Sequence, residues 1–358
     1  MPSLKEIKGR INSISSTLAI TSAMKMVAAA KLQKAQMAIQ NMLPYERRLH
    51  SMLIDLMGAM NISAAASEDG SVRGSGSAER GFDQSGDRLS LSNRHDLAGM
   101  DGAYSLMAQR EVRKVAIVAF ASNSSLCGAF NSNVIREATA VINEYRASGL
   151  RDSDIVVYSV GRKMAEAMRK LGFPSPADFT KMSDSPSYEA ASALAQELLD
   201  GFVSGRFDKV ELVYNHYKST SSQPTIRQTY LPLSLADATA DIQVGKITDS
   251  ASESDTNRGA EPVGAPVVRQ GSPTTEDLIV EPSKEALIAT LLPKVIRLRI
   301  FTTLLDSAAA EHAARTVAMQ LATDNGNDLL QELTLEYNKG RQQKITSEIL
   351  DLVGGSMQ

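Results

Sequence analysis

The residues most able to do chemistry lie in a polar turn between an apolar run and a predicted helix. Residues 122–128 (SNSSLCG) form this turn, and a strand, turn and helix in this order could cradle a phosphate group. The turn has one glycine, no GxGxxG pattern and no GK[ST] after it, so it is weak evidence for nucleotide binding. We expect its Ser and Asn side chains to cap the following helix instead.

Nucleophilic and metal chemistry need partner residues that the sequence does not bring together. Cys127 is the only cysteine and has no histidine near it in sequence, so we interpret it as a small core residue rather than a nucleophile. A lone cysteine also excludes an internal disulfide and fits a reducing compartment. The four histidines have neither HExxH nor paired-Cys spacing, and His312 falls in a helical seam. We therefore predict no catalytic residue, no metal site and no cofactor.

Composition and charge argue against two further classes of protein. Lys and Arg total 38 against 41 Asp and Glu, and the net charge of -3 lacks the basic excess of a nucleic-acid binder. The longest apolar run, residues 115–121, is far shorter than the roughly 20 residues that span a bilayer. The first residues show no secretory or import pattern. We expect no nucleic-acid binding, and a membrane link only through partners.

Apolar residues recur three and four positions apart over the first sixty residues. This stripe lasts about eight heptads, which is typical of a coiled coil rather than of an ordinary domain helix. Thr21, Lys25 and Glu46 are the polar positions that interrupt it. Ser3 and Glu6 have the spacing of a capping box, which predicts where the helix begins.

A second helix pattern of about 70 residues occupies the other end of the chain and would be about 105 Å long. Ser283 is its predicted N-cap and Gly354 its predicted end. Its seam is small or polar in the middle, which lets two helices approach closely but buries less apolar surface. Pro44 in the first helix predicts a bend, because the apolar register resumes after it. Pro293 predicts either a kink or the true first turn of the second helix.

An α/β pattern separates the two rods. Strand-like runs cover residues 115–120, 155–160, 210–214 and 225–235, and helix patterns cover 130–147 and 188–203. Strands that alternate with helices predict a small, mainly parallel sheet. The predicted fold class is therefore α/β, with a long antiparallel coiled coil of the N- and C-terminal helices plus a small, mainly parallel α/β sandwich domain.

Two segments rich in Ser, Gly and acidic residues interrupt this plan. They bury too little apolar surface to offset their ordering entropy, so we predict exposed, mobile insertions. The predicted domains are an N-terminal coiled-coil helix over 1–61, an insertion over 62–112, an α/β foot domain over 113–236, an insertion over 237–281 and a C-terminal coiled-coil helix over 282–358.

Several short motifs, in order along the chain, resemble the gamma subunit of F-type ATP synthases. The motifs are INSI at 11–14, ITSAMKMVAAAK at 20–31, LCGAFN at 126–131, EHAAR at 311–315, ATDNG at 322–326, YNK at 337–339, RQ at 341–342 and ITSE at 345–348. Each motif alone is weak, but the ordered set is specific and spans the chain apart from the two insertions. The chain departs from the family at 123–125 and at its terminal glycines, and it lacks the cysteine pair of photosynthetic relatives, so dithiol regulation is not predicted.

The resemblance implies a non-catalytic rotor shaft. The paired end helices would stand inside a ring of alternating alpha and beta subunits, and the α/β domain would lie below, against epsilon and the ring of membrane c subunits. Ion-driven c-ring rotation would be coupled to ATP synthesis or hydrolysis at the beta-subunit sites by angle-dependent contacts. One copy per complex is implied, held peripherally at the cytoplasmic face of a bacterial plasma membrane.

The same resemblance implies four residues that contact beta subunits. Met24 and Lys25 match the family's site facing an acidic beta loop, and Arg341 with Gln342 matches its contact to the beta catch loop. Arg341 suits a carboxylate because its guanidinium can bond bidentately. Lys25 occupies a nominal seam position, which favours a polar contact to a partner, although a break in the register is the alternative.

The charge of the first helix fits a shaft inside an acidic ring. Residues 1–60 hold eight basic and three acidic side chains, a net charge of +5, so the remainder of the chain carries -8. A basic rod would be attracted to the acidic beta loops of the family, whereas the alternative is a solvated helix face. The competing class is a purely structural coiled-coil adaptor, which does not explain why the two rods come from opposite chain ends around an α/β domain.

Overall fold

Two long helices from opposite ends of the chain run side by side, and an α/β domain is attached to them. The computed structural model describes residues 3–68, 106, 110–233 and 283–355. The predicted insertions therefore lie largely outside the described residues. The helices and strands are α1 Leu4–Glu68, β1 Val115–Phe120, α2 Phe130–Ala147, β2 Ile155–Val160, α3 Arg162–Lys170, α4 Thr180–Asp184, α5 Tyr188–Val203, β3 Lys209–Asn215, β4 Thr225–Leu231 and α6 Lys284–Gly355.

The start of α1 has the predicted capping box. The backbone N–H of Ser3 donates to Glu6 Oε2 at 3.0 Å, and the backbone N–H of Glu6 donates to Ser3 Oγ at 3.3 Å. Two N–H groups that lack helical partners are thereby satisfied. The helix passes through Pro44 and ends at Glu68, beyond the predicted boundary at residue 61.

Helix α6 also begins at its predicted cap. The Ser283 hydroxyl accepts from the backbone N–H of Ala286 at 3.1 Å. Pro293 lies inside the helix rather than at its first turn, so that alternative is wrong. Helices α1 and α6 thus both accommodate an internal proline, and each loses one backbone hydrogen bond there.

The pairing of α1 and α6 is antiparallel, and polar seam residues meet polar partners. Thr323 Oγ1 donates to Thr21 Oγ1 at 3.1 Å, and Thr302 Oγ1 donates to Glu46 Oε1 at 3.0 Å. Apolar seam residues are buried between these levels, such as Leu32, which packs against α6. Each polar interruption of the stripe therefore forms a cross-helix hydrogen bond, which avoids the cost of an unpaired buried polar group.

Small residues let the two helices approach closely where the start of α1 meets the C-terminal part of α6. We call this the upper end of the pair. A Cβ atom on Gly326 would lie 2.6 Å from Leu18 Cδ2, closer than van der Waals contact allows. A Cβ atom on Gly340 would lie 3.1 Å from Leu4 Cδ2. The seam is thus fitted to glycine at these levels, as the small residues in the sequence indicated.

The sheet has four strands in the order β2-β1-β3-β4. Strand β1 pairs in parallel with both β2 and β3, and β4 pairs antiparallel with β3. The predicted mainly parallel sheet is confirmed. All six residues of β1 are buried, as expected for a central strand covered on both faces.

Alternate residues of β1 face two different apolar layers. Ala116, Val118 and Phe120 pack with α5 and with the long helices, whereas Val115 and Ile117 pack with α2 and α3. The domain is therefore a three-layer sandwich, with α2 and α3 on one face of the sheet. Its opposite face is held against the shaft, which we define as the paired helices α1 and α6.

The Gly326 contact generates a test of the close seam. We expect Gly326→Leu to force the helices apart and to lower the free energy of unfolding by about 1–3 kcal/mol, the usual cost of overpacking. Denaturant unfolding followed by helical circular dichroism measures the change. The matched control is Gly9→Leu, because Gly9 has no neighbour within 4 Å. That variant should gain roughly 0.5–1 kcal/mol of helix propensity. Equal effects at the two positions would contradict the seam.

Candidate functional site

The four sequence-predicted contact residues lie at two separate levels of the shaft. Met24 and Lys25 are half-buried on α1, opposite Gln320. Arg341 and Gln342 are exposed on α6, 21 and 22 residues further along that helix. At 1.5 Å per residue the two levels are about 30 Å apart, so the structure does not bring the four residues together.

Lys25 is held within the shaft. Its Nζ donates to Gln320 Oε1 at 2.6 Å, and Gln320 Nε2 donates to Asp324 Oδ1 at 2.8 Å. An ammonium group has three N–H donors, and the bond to Gln320 uses one of them. The seam position of Lys25 is therefore explained by an internal polar contact, and the remaining donors leave room for an acidic partner.

Among the described residues, only α6 forms the upper end of the shaft. Leu4 at the start of α1 lies opposite Gly340, and every residue from 341 to 350 is exposed. We call residues 341–353 of α6 the tip. Its large apolar side chains are solvent-exposed: Ile345, Ile349, Leu350, Leu352 and Val353. Clustered exposed apolar side chains mark a surface that meets another molecule.

Basic side chains line the outside of α1 toward its start. The exposed residues are Lys5, Lys8, Arg10, Lys31 and Lys34. Within the described ranges none of these five forms an ion pair. Lys31 also lies near enough to α6 to act on Glu311 and His312, whereas the exposure of the set fits either an acidic partner or a solvated helix face.

The polar turn at residues 122–128 does not cap α2, and its contacts are with the interior of the domain. Helix α2 has no side-chain cap, which corrects the sequence-based expectation. Asn131 Oδ1 instead accepts from the backbone N–H of Ser122 at 3.0 Å, so this turn is closed by the helix. Cys127 is 1% exposed and packs with Phe130 and with Ala310 of α6, which confirms it as a core residue.

A buried charged cluster in the foot domain is structural. Glu211 is 1% exposed, and its carboxylate receives Lys209 Nζ at 2.6 Å, Arg227 Nε at 2.7 Å and the Tyr145 hydroxyl at 2.7 Å. Burial alone would raise the pKa of Glu211, but these hydrogen bonds outweigh it and hold the pKa below its ordinary value. The carboxylate is fully partnered, so we assign it to domain stability.

Sequence reasoning missed a polar joint between the foot domain and both long helices. His216 and Tyr217 follow β3, and Asp306 lies on α6. Asp306 Oδ2 is 2.6 Å from His216 Nδ1, and its Oδ1 accepts from the Tyr217 backbone N–H at 2.9 Å. Gln36 Nε2 of α1 donates to the Tyr217 hydroxyl at 2.7 Å. The sequence carries no local signal for this set, because its members come from three distant segments.

These features define an elongated shaft subunit with a foot domain and an exposed helical tip. No described helix has both the length and the apolar character needed to cross a membrane. Two long paired helices with an attached α/β domain are typical of a mechanical or scaffolding subunit.

Comparison with known proteins identifies the family. The family described as ATP synthase matches residues 3–357. The ATP synthase gamma chain of Phocaeicola vulgatus is 46% identical over 357 residues, covering 100% of both chains. That of Bacteroides thetaiotaomicron is 45% identical over 358 residues, again covering 100% of both. The chain belongs to the ATP synthase gamma-chain family, and it is a non-catalytic central-stalk subunit of a membrane-associated complex.

A solved structure has the same fold at low sequence identity. A chain of the Euglena gracilis mitochondrial ATP synthase, in an OSCP/F1/c-ring structure in rotational state 3, aligns with a TM-score of 0.52. Identity is 18%, and the alignment covers 99% of this chain and 93% of that chain. The predicted fold class and the recognised family are both confirmed.

The His216–Asp306 pair generates a prediction for pH dependence. The hydrogen bond to Asp306 raises the pKa of His216 above its ordinary value of 6.5, although burial opposes the shift. A raised folded-state pKa contributes stability that is complete below pH 6.5 and is lost as pH rises through the folded pKa. We therefore expect His216→Gln to destabilise the chain more at pH 6 than at pH 9, by roughly 1–2 kcal/mol. Unfolding at both pH values measures this difference, and an equal loss at both would contradict the charged pair.

Proposed function

We propose that this subunit couples rotation of a membrane ring to ATP synthesis or hydrolysis by angle-dependent contacts between its shaft and the beta subunits. The observation that carries the proposal is the exposed single-helix tip above an asymmetric pair of helices. Because α1 begins opposite Gly340, the surface that the shaft presents changes along its length and from side to side. Rotation would then bring a different surface to each beta subunit and favour a different conformation in each.

The proposed partners follow the two ends of the molecule. The tip would lie within the head formed by alpha and beta subunits, where its exposed apolar side chains would be covered. The foot domain would contact epsilon and the c-subunit ring, with one copy of this chain per complex. This arrangement would place the subunit at the cytoplasmic face of a bacterial plasma membrane, held there through its partners.

Met24 and Lys25 are the proposed lower contact with beta. Lys25 keeps donors beyond its bond to Gln320, and an acidic beta loop would provide the carboxylates for them. The neighbouring Met26 is 64% exposed, so an apolar surface adjoins the charge. Such a mixed site suits repeated contact and release, because the half-buried ammonium group keeps its bond to Gln320 between contacts.

Arg341 and Gln342 are the proposed upper contact, and Arg341 gives the direct test. We expect Arg341→Ala to lower ATP turnover of the reconstituted complex about tenfold, because a charge-assisted hydrogen bond is worth a comparable free energy. Steady-state hydrolysis per assembled complex measures the effect. Helical circular dichroism should be unchanged, since the side chain of Arg341 is exposed.

The matched control for Arg341 lies one turn further along the tip. Lys344 Nζ is 3.8 Å from Glu348 Oε1 of the same helix, an exposed pair that should contribute little. Lys344→Ala should therefore retain normal turnover. Wild-type turnover from Arg341→Ala would remove the proposed role of that residue.

Partner identity has a test of its own. Affinity purification of the tagged chain from its host membranes should recover alpha, beta and epsilon subunits in fixed proportion, with one tagged chain per complex. Mass spectrometry of the intact complex measures the stoichiometry. Recovery of the chain alone, or of two tagged chains together, would contradict the proposed assembly.

A further inference from the structure

Tyr217 stands where the foot domain meets both long helices. Its backbone N–H donates to Asp306 of α6 at 2.9 Å, and its hydroxyl accepts from Gln36 of α1 at 2.7 Å. The residue itself belongs to the connection between β3 and β4 of the foot domain. Three separate elements therefore converge on one side chain and its own backbone.

The ring of Tyr217 packs into the same junction. It contacts an apolar cluster in which Leu32 of α1 meets Ala309 and Ala313 of α6. It also contacts a second cluster in which Cys127 and Phe130 of the foot domain meet α6. The ring thus lies between the helix seam and the foot domain, in contact with both.

Asp306 fixes the geometry of this junction from α6. Its two carboxylate oxygens accept from different groups, His216 Nδ1 and the Tyr217 backbone N–H. Because the two acceptors are on one rigid group, the connection cannot swing without losing at least one bond. Charge-assisted hydrogen bonds of this kind are directional, unlike the apolar contacts that cover most of the interface.

We propose that Tyr217, Asp306 and Gln36 are positioning residues that form a three-way joint, through which torque passes from the foot domain to both helices of the shaft. This inference rests on the proposed rotary function and adds to it a place where rotation of the foot reaches both helices, whereas the bonds of Tyr230 and Ser124 reach α6. Apolar packing resists separation but permits sliding, so a rotating foot needs directional bonds to turn both helices together.

The direct test measures torsional stiffness in the complete complex. The catalytic head is fixed to a surface, a probe is attached to the foot, and angular fluctuations are recorded while hydrolysis is stalled. We expect Tyr217→Phe, which keeps the ring and removes the hydroxyl, to increase the angular variance about twofold, since weaker restraint means a larger mean-square displacement. Gln36→Met should produce the same increase, and the double variant should add nothing further because both remove one bond.

Asp306→Asn probes the second half of the joint. It keeps an oxygen acceptor but removes the charge beside His216, so the variance should again rise. The matched control is Asp152→Asn, whose carboxylate pairs with Arg146 at 2.7 Å on the outside of the foot domain. That variant should leave the angular variance unchanged. A purely structural role for the joint would lower the yield of assembled complex without raising the variance of the complexes that form.

The outcomes separate this inference from the proposed function. If Tyr217→Phe and Gln36→Met have the same angular variance as the wild type, the joint is overturned. The proposed function still stands in that case, provided that the wild-type foot turns against the head. These two substitutions each remove a single hydrogen bond, so they decide the question even if Asp306→Asn fails to assemble. A wild-type complex whose foot does not turn would overturn the proposed function, and this inference with it.

Discussion

The close antiparallel contact between α1 and α6 is the constraint on which the structure depends. Glycine at position 326 lets Leu18 approach, and Thr21 meets Thr323 by a hydrogen bond. A seam built from small and polar residues gains less free energy from apolar burial than a leucine seam. The pairing of polar residues across the seam, however, fixes one register of the two helices. A shaft that must transmit an angle needs that single register more than it needs maximal stability.

The foot domain packs against the same pair of helices. One face of its sheet is covered by α2 and α3, and the other is pressed against the shaft, so the sheet is buried on both sides. Directional bonds at Tyr217 and Asp306 supplement this apolar interface. The upper end has the opposite character, because no other described helix lies beside the tip, which exposes both charge and apolar surface. A foot domain bound firmly to the shaft and an exposed tip suit a subunit that would be rotated at the foot and contacted by other subunits at the tip.

Local patterns were sufficient to predict most of the fold. The predicted elements at 115–120, 130–147, 155–160 and 188–203 coincide with the observed ones, because apolar period and flanking turn residues determine them locally. Helix α3 was missed because only Met164 and Met168 are buried along it, too few to show a period. The partner of Lys25 lies 295 residues away in sequence, and the joint at Tyr217 joins three segments. Such contacts depend on interhelical register, which no single-segment pattern contains.

The pairing of the two chain ends is tested most directly by an engineered disulfide across the seam. Thr21→Cys and Thr323→Cys, combined with Cys127→Ser, would place two thiols where the threonine hydroxyls now lie 3.1 Å apart. Oxidation of the assembled complex should give a cross-link within one chain, seen as a monomer of altered mobility that reverts on reduction. Disulfide-linked dimers of this chain, or no cross-link at all, would contradict a shaft made from the two ends of one polypeptide.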